Sequence, residues 1–394
     1  MFLKLIQSSL SSIILNWEKN YYQEIDKFLS NLSNFENMFK FIDTSYKQHK
    51  MIESNQFYTK PVQYLFGQRM ETEYLNGKFN LFHKNETFQY VSIKNTIANL
   101  LKNDRIKDEI KNFNFNIDFK PFLFSNSQFW KNKNTLRLLI YYDEIEIKNS
   151  LVDIAGGYKL GMFYFNILNL TRKHNSNLKN IFVIAATFSE DLKKYGFDDV
   201  FQLIIDEINE LETNGIQIDN EFFYASIAQL CGDNLGVHQA FNLKMNFNGK
   251  NICHLCDAST SSIQTHLKEE CFKKTTKSIY DARQLEIKND SNKTKEYGMR
   301  GQSILNNSKF YHISNNFAFD VTHDIWEGVS QFEMALVLEN LFYNEKLFSL
   351  DFLNQRIIHY DFTETVLSNK PSIIKCIKGK IKVKQTIAKM KCLF

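Results

Sequence analysis

Apolar residues recur at two different spacings along this chain, and the change between them divides it. Over residues 1–85 they fall at helical intervals among many aromatics and mixed charges, which predicts a helical N-terminal region. Leu3, Ile6, Leu10, Ile13, Ile14 and Trp17 share one side of an amphipathic helix there. Gln7, Ser8, Ser9, Ser11 and Ser12 interrupt that run, so it lacks the continuous apolar core of a signal peptide. No later stretch approaches the roughly 18 apolar residues of a membrane span. From residue 86 the pattern tightens. Residues 89–91 read as a short strand, and 92–112 as a helix with Ile93, Ile97, Leu100, Leu101 and Ile106 inward. Thr135–Ile147 reads as a strand, Gly156-Gly157 as a turn, and 158–170 and 180–188 as two further strands. Asp198-Asp199 then caps a helix carrying Val200, Leu203, Ile204, Ile208 and Leu211, which Asn214-Gly215 closes. Residues 222–231 form another apolar strand. It ends at Gly232-Asp233-Asn234-Leu235-Gly236, with a helix starting near Val237.

Asp143 stands out against this pattern. Strand side chains alternate faces, so it shares one with Leu139, Tyr141, Ile145 and Ile147, while Glu144 and Glu146 point the other way. If that face is buried, the carboxylate must be protonated, paired or bound to a cation. The plain alternative is a strand-end aspartate in water. Three strands, a helix and a further strand are also the skeleton of an α/β, RNase H-like domain, a mixed sheet with flanking helices. In that skeleton Asp143 and Asp233 occupy adjacent strand positions. Such geometry suits two divalent cations about 3.5–4 Å apart that share carboxylates across a phosphodiester. Hard cations such as Mg2+ favour oxygen ligands, which is why aspartates serve.

Composition adds limits. The 394 residues are 43% hydrophobic and 23% charged, enough for a sizeable core in two or three structural units. A net charge of +4 permits nucleic-acid contact without requiring it, because local clusters decide. Only two of the six cysteines are closely spaced, as Cys253-x-x-Cys256, which reads as a metal or redox pair in a reducing compartment. Periodicity fades over 249–319, an insertion. With His266 and Cys271 the cysteine pair makes Cys-x2-Cys-x9-His-x4-Cys, a set suited to a structural Zn2+; reduced structural cysteines are the alternative. Next, Asp320-x-x-His323 opens a helix with Val329, Phe332, Leu336 and Leu341 inward; helix capping by Asp320 or Thr322 explains it equally well. The lysines between Lys375 and Lys391 are either a phosphate contact or a solvated basic strand and helix. Gly232 to Gly236 is too short for a phosphate-binding loop and lacks its lysine, so no small-molecule cofactor is expected.

Six segments in one order resemble a known family. They are Leu139-Ile140-Tyr141-Tyr142-Asp143-Glu144-Ile145-Glu146, Lys159-Leu160-Gly161-Met162-Phe163-Tyr164-Phe165, Asp191-Leu192-Lys193-Lys194-Tyr195-Gly196, Cys231-Gly232-Asp233-Asn234-Leu235-Gly236, Cys253-x-x-Cys256 and Phe319-Asp320-Val321-Thr322-His323. Over about residues 86–394 the chain resembles the CACTA-type (tnp2-like) transposases and related transposase-like proteins of animal genomes. The resemblance implies an RNase H-like fold with an Asp-Asp-Glu triad that holds two Mg2+ or Mn2+ ions and cleaves and transfers DNA strands. Asp143 and Asp233 would be its first two members, and Asp320 with His323 would match the Asp-x-x-His element that follows. The family's Glu usually lies well downstream, on a helix after the insertion; within this chain Glu327 is the candidate, beside Glu333 and Glu339. DNA as partner, self-association and a nuclear location follow from the same resemblance. The sequence ends at Phe394, in what matches the middle of the family domain, which implies a truncated copy with impaired activity. The alternative is a domesticated, non-enzymatic fragment that binds DNA or protein. The expected organisation is a helical region over 1–85, a core over 86–248, the insertion over 249–319 and a helical part over 320–394.

Overall fold

A computed structural model describes residues 44–55, 58–75, 77–113, 128–147, 158–175, 177–244, 250–251, 253, 255–316, 320–361 and 369–393. The amphipathic helix expected over 1–17 and the Gly156-Gly157 turn lie outside these residues. The chain divides into two compact units, Met1–Lys60 and Pro61–Phe394. The described part of the first contains a helix, Ser45–Glu53, whose N-cap Thr44 accepts a hydrogen bond from the Lys47 amide. Among the described residues no helix is long and apolar enough to cross a membrane.

The second unit is mixed α/β, built on a seven-stranded mixed sheet of order β1-β2-β5-β4-β3-β7-β6. Its strands are β1 (Val62–Leu75), β2 (Lys78–Tyr90), β3 (Thr135–Ile147), β4 (Tyr158–Ile167), β5 (Phe182–Phe188), β6 (Ile216–Ile218) and β7 (Glu221–Gly232). β3, β4 and β5 form an antiparallel meander, paired from Leu138↔Ile167 to Ile147↔Tyr158 and from Leu160↔Phe188 to Phe165↔Phe182. The chain then crosses the sheet through a helix, Asp198–Thr213, and β7 returns parallel to β3. A parallel pair needs such a crossover because no tight turn can join it. Val200, Phe201, Ile204, Ile205, Ile208 and Leu211 of that helix are buried, close to the predicted stripe. They pack with Ile93 and Ile97 of the helix Ile93–Leu100 against Leu136, Leu138, Ile140 and Tyr142 of β3.

Three expectations change here. Residues 62–90 are a long β-hairpin rather than part of a helical region. Its apolar positions pair across strands: Tyr74 meets Phe79 with ring centroids 4.9 Å apart, Thr72 faces Leu81, and the chain reverses through Gly77 at φ +80°. Aromatic and β-branched content outweighs the helical spacing read from the sequence. The single helix expected over 92–112 is two, Ile93–Leu100 and Asp104–Asn112, divided where Asn103 caps the second. The third change concerns Asp143. The buried side of β3 is the one bearing Leu136, Leu138, Ile140 and Tyr142, and Asp143 lies on the opposite, half-covered side. There Leu139 packs, with Phe129 and Phe310, against the cluster of Trp130, Leu168 and Ala228, whereas Ile145 and Ile147 are exposed.

The part from residue 320 onward has its own apolar cluster of Leu338, Phe342, Ile357, Ile374, Ile381, Val383 and Met390. It is not wholly helical: β8 (Lys375–Ile377) and β9 (Lys380–Lys382) make a separate two-stranded sheet.

Candidate functional site

The site begins with the register of the parallel pair. β7 runs opposite β3 from Thr135↔Tyr224 to Leu138↔Ile227; the register then shifts by one residue, and Leu139↔Gln229 continues to Tyr142↔Gly232. Ala228 is the extra residue, and its carbonyl accepts a hydrogen bond from Asn316 Nδ2 at 3.0 Å. A one-residue change reverses which side chains share a face. With the shift, Tyr141 lies opposite Cys231, and the same register carried one step past Gly232 sets Asp143 beside Asp233.

Each aspartate has a defined setting. Asp143 is half-buried, and burial is the main cause that raises its proton affinity; the charge of Asp233 acts the same way, while the Glu144 amide, the Tyr141 hydroxyl and His323 oppose it. Asp233 follows β7 and caps the helix Asn234–Ala240, its Oδ1 accepting the Gly236 amide at 2.5 Å. Gly236 has no room for a side chain: a Cβ there would lie 2.8 Å from Tyr142 Cδ1 and 2.9 Å from Asp233 Oδ1. Gly232 is equally confined: a Cβ there would lie 2.9 Å from the Tyr142 carbonyl oxygen. Tyr142 is therefore enclosed by the glycines that bracket Asp233, a role the sequence hinted at only through their spacing. Gly236→Ala is expected to destabilise the fold by about 1–3 kcal/mol and to displace the Asp233 carboxylate, which a urea midpoint and a cation titration would register together.

Asp320 and His323 come to the same strand ends. Asp320 raises the proton affinity of both Tyr141 and Cys231, in each case behind burial as the larger cause. Asn234 Nδ2 donates to Asp324 Oδ1 at 2.6 Å, tying the residue after Asp233 directly to the turn after Asp320. Asp320 Oδ1 accepts the amides of Thr322 (3.0 Å) and His323 (3.1 Å), and Oδ2 pairs with His323 Nδ1. The capping role is thus present, in the same place as the strand ends. The turn Thr322–Val329 is π-helical, a form found often at functional sites. Gly328 permits it, since a Cβ there would sit 2.9 Å from the His323 carbonyl.

Burial of the His323 imidazole works against its charge, but the Asp320 hydrogen bond and the charges of Asp320, Glu327 and Asp233 outweigh it, and its pKa is raised. A raised folded value means that the pair's stabilisation is complete below the ordinary histidine range and is lost as pH rises through the raised pKa. Asp320→Asn is expected to return the His323 midpoint toward about 6.5, read by NMR titration.

The remaining sequence-derived ligands are not gathered. Among the described residues no group of three or more His, Cys, Asp or Glu side chains is arranged to hold a metal ion. Glu327 is exposed on the π-helical turn, near enough for its charge to act on His323. Glu333 is exposed, and Glu339 accepts the Ile381 amide at 2.8 Å, which fastens β9 instead of serving the site. In the insertion Cys253 and Cys256 adjoin; burial first, then the neighbouring Cys253 thiol, pushes Cys256 up to about 11. His266 is held on its own turn by Ser262 O and Thr265 Oγ1, and Cys271 is exposed in a separate 3-10 turn, so the expected four-ligand zinc set is not assembled.

For Mg2+ or Mn2+ Asp143 and Asp233 fit in kind, since both offer carboxylate oxygen. They fit less well in number. Asp233 has one oxygen in its cap, and both oxygens of Asp320 are engaged. No protein-family model matches this chain, and no curated protein matches it.

Proposed function

We propose that this protein is an RNase H-like, transposase-type protein whose chemistry is metal-dependent phosphoryl transfer on DNA. The observation that carries the reading is the parallel pairing of β3 with β7 beside an antiparallel meander, with Asp143 and Asp233 each one residue past its last pair, Tyr142↔Gly232. In this reading Asp143 and Asp233 hold the cation, Mg2+ or Mn2+, which when bound would activate a water or hydroxyl and neutralise charge on the phosphodiester. His323, whose proton affinity the Asp320 hydrogen bond and charge raise, would act on a phosphate oxygen or a leaving group. Glu327 is the candidate third carboxylate on the same turn. Self-association and a nuclear location belong to this proposal, as does Zn2+ on Cys253 and Cys256; His266 and Cys271, held apart on turns of their own, would complete the set only by moving toward the cysteine pair. Metal analysis of the purified protein checks the zinc.

The test is nicking of supercoiled plasmid DNA with Mg2+ or Mn2+ and with EDTA. Nicking that requires the cation and fails in Asp143→Asn supports the reading; nicking that survives EDTA, or is equal in the variant, rejects it. A second reading, a non-enzymatic DNA-binding protein on the same scaffold, is favoured by the capping duties of Asp233 and Asp320. It predicts DNA binding with no cation-dependent nicking at all.

A further inference from the structure

The β8–β9 hairpin concentrates positive charge. The last 25 residues hold eight lysines and no acidic residue, although the whole chain carries a net charge of only +4. Lys375 pairs opposite Lys382 and Ile377 opposite Lys380. The chain reverses at Lys378 and Gly379, both at positive φ (52° and 75°), as a two-residue hairpin turn requires. Along β9 and beyond it, Ile381, Val383 and Gln385 are buried, which leaves Lys380, Lys382 and Lys384 on the outer face. Lys375 joins that face and Lys378 stands at its tip, and all five lysines are exposed.

The face is firmly backed. Gln385, 4% exposed, accepts the Ser372 amide and donates to its carbonyl through its side chain, while its own backbone amide and carbonyl bond the Gln331 side chain. Asn354 brackets Ile374, accepting its amide and donating to its carbonyl, each at 2.9 Å. The carboxylate of Glu339, which packs here, is turned onto the Ile381 amide. Elsewhere Lys84, Lys94, Lys107, Lys194 and Lys274 each pair with a carboxylate. None of the five hairpin lysines has an ion pair among the described residues. Two lysines directly opposite in an antiparallel pair repel each other, and a polyanion laid along the face would relieve that repulsion.

We propose that this hairpin is a contact surface for the phosphate backbone of duplex DNA. The choice of DNA as the polyanion rests on the reading above; the surface itself rests on charge and register. Lysines two apart on a strand lie about 6.7 Å from each other, close to two phosphate rises of about 3.4 Å along one DNA strand. Strands of three residues are too short to read base edges across a groove, so the contact is to the backbone and independent of sequence.

The experiment is fluorescence anisotropy of a labelled mixed-sequence duplex with the full chain, in EDTA, between about 50 and 200 mM salt. Five phosphate contacts give a slope of log K against log salt of about −4.5, and the triple variant Lys380→Gln, Lys382→Gln, Lys384→Gln should reduce its magnitude by about 2.7. Its Tm should hold or rise, because Lys382 no longer faces Lys375. An unchanged slope in the triple variant overturns the proposal, as does absence of duplex binding by the wild type. Competition by polyglutamate of matched charge as effective as unlabelled duplex would assign the face to acidic polypeptides and overturn it too. Mn2+ binding by the triple variant separates the two readings: if it persists while duplex binding does not change from wild type, the hairpin proposal fails alone.

Discussion

Replacing Asp233 by asparagine should lower cation-dependent plasmid nicking by about three orders of magnitude, roughly 4 kcal/mol of transition-state stabilisation. The substitution is informative because asparagine is as good an N-cap as aspartate. The amide oxygen can still accept the Gly236 amide, so the helix Asn234–Ala240 keeps its start and Tyr142 keeps its enclosure. What is lost is the negative charge at the end of β7. Asp143→Asn should behave alike, since its side chain supports no helix; it accepts from the Glu144 amide and makes a long 3.5 Å contact with the Tyr141 hydroxyl. The rate of nicked-circle formation at fixed Mn2+, with Tm measured alongside, decides the matter. A variant of unchanged Tm that nicks at the wild-type rate removes its aspartate from the chemistry.

The second large effect is expected far from these residues. Glu212, 5% exposed near the end of the crossover helix, accepts hydrogen bonds from Ser226 Oγ on β7, from Ser308 Oγ and from the Lys309 amide. One carboxylate thus joins the helix, the strand that carries Asp233 and the segment leading toward Asp320. Glu212→Ala leaves three donors without their acceptor and should cost about 3–4 kcal/mol. Glu212→Gln retains one acceptor oxygen and should lose less. Urea midpoints at constant m-value measure both. Because β7 is braced there, Glu212→Ala should also weaken cation binding beyond its effect on folding, and an equal loss in Glu212→Gln and Glu212→Ala would count against the network.

The central elements were readable because their periods are unmixed. β3, β5, the crossover helix and β7 fall within a residue or two of their expected bounds. Asp143 was placed on the correct face of β3, with Leu139 and Tyr141, yet that face is the less covered one. Both sides of β3 are apolar over Leu138 to Tyr142, so alternation alone cannot say which side the helices cover. The hairpin at residues 62–90 was missed because aromatics at Tyr64, Tyr74, Phe79 and Phe82 also fit a helical stripe, and only cross-strand pairing distinguishes the two. The register shift at Ala228 left no local sequence signal, although it brings Tyr142 opposite Gly232, each one residue before its aspartate. The Asn234–Asp324 bond joins residues far apart in the sequence and likewise had none. The cysteine spacing suggested a zinc set, but spacing does not say where turns point, and His266 and Cys271 sit on turns of their own.

The most direct measurement is calorimetric titration of Mn2+ into the wild type, Asp143→Asn and Asp233→Asn. A shared site where the β3–β7 pairing ends predicts binding by the wild type that is lost in both variants while their Tm stays unchanged. No binding by the wild type, or binding equally retained by either variant, would contradict it.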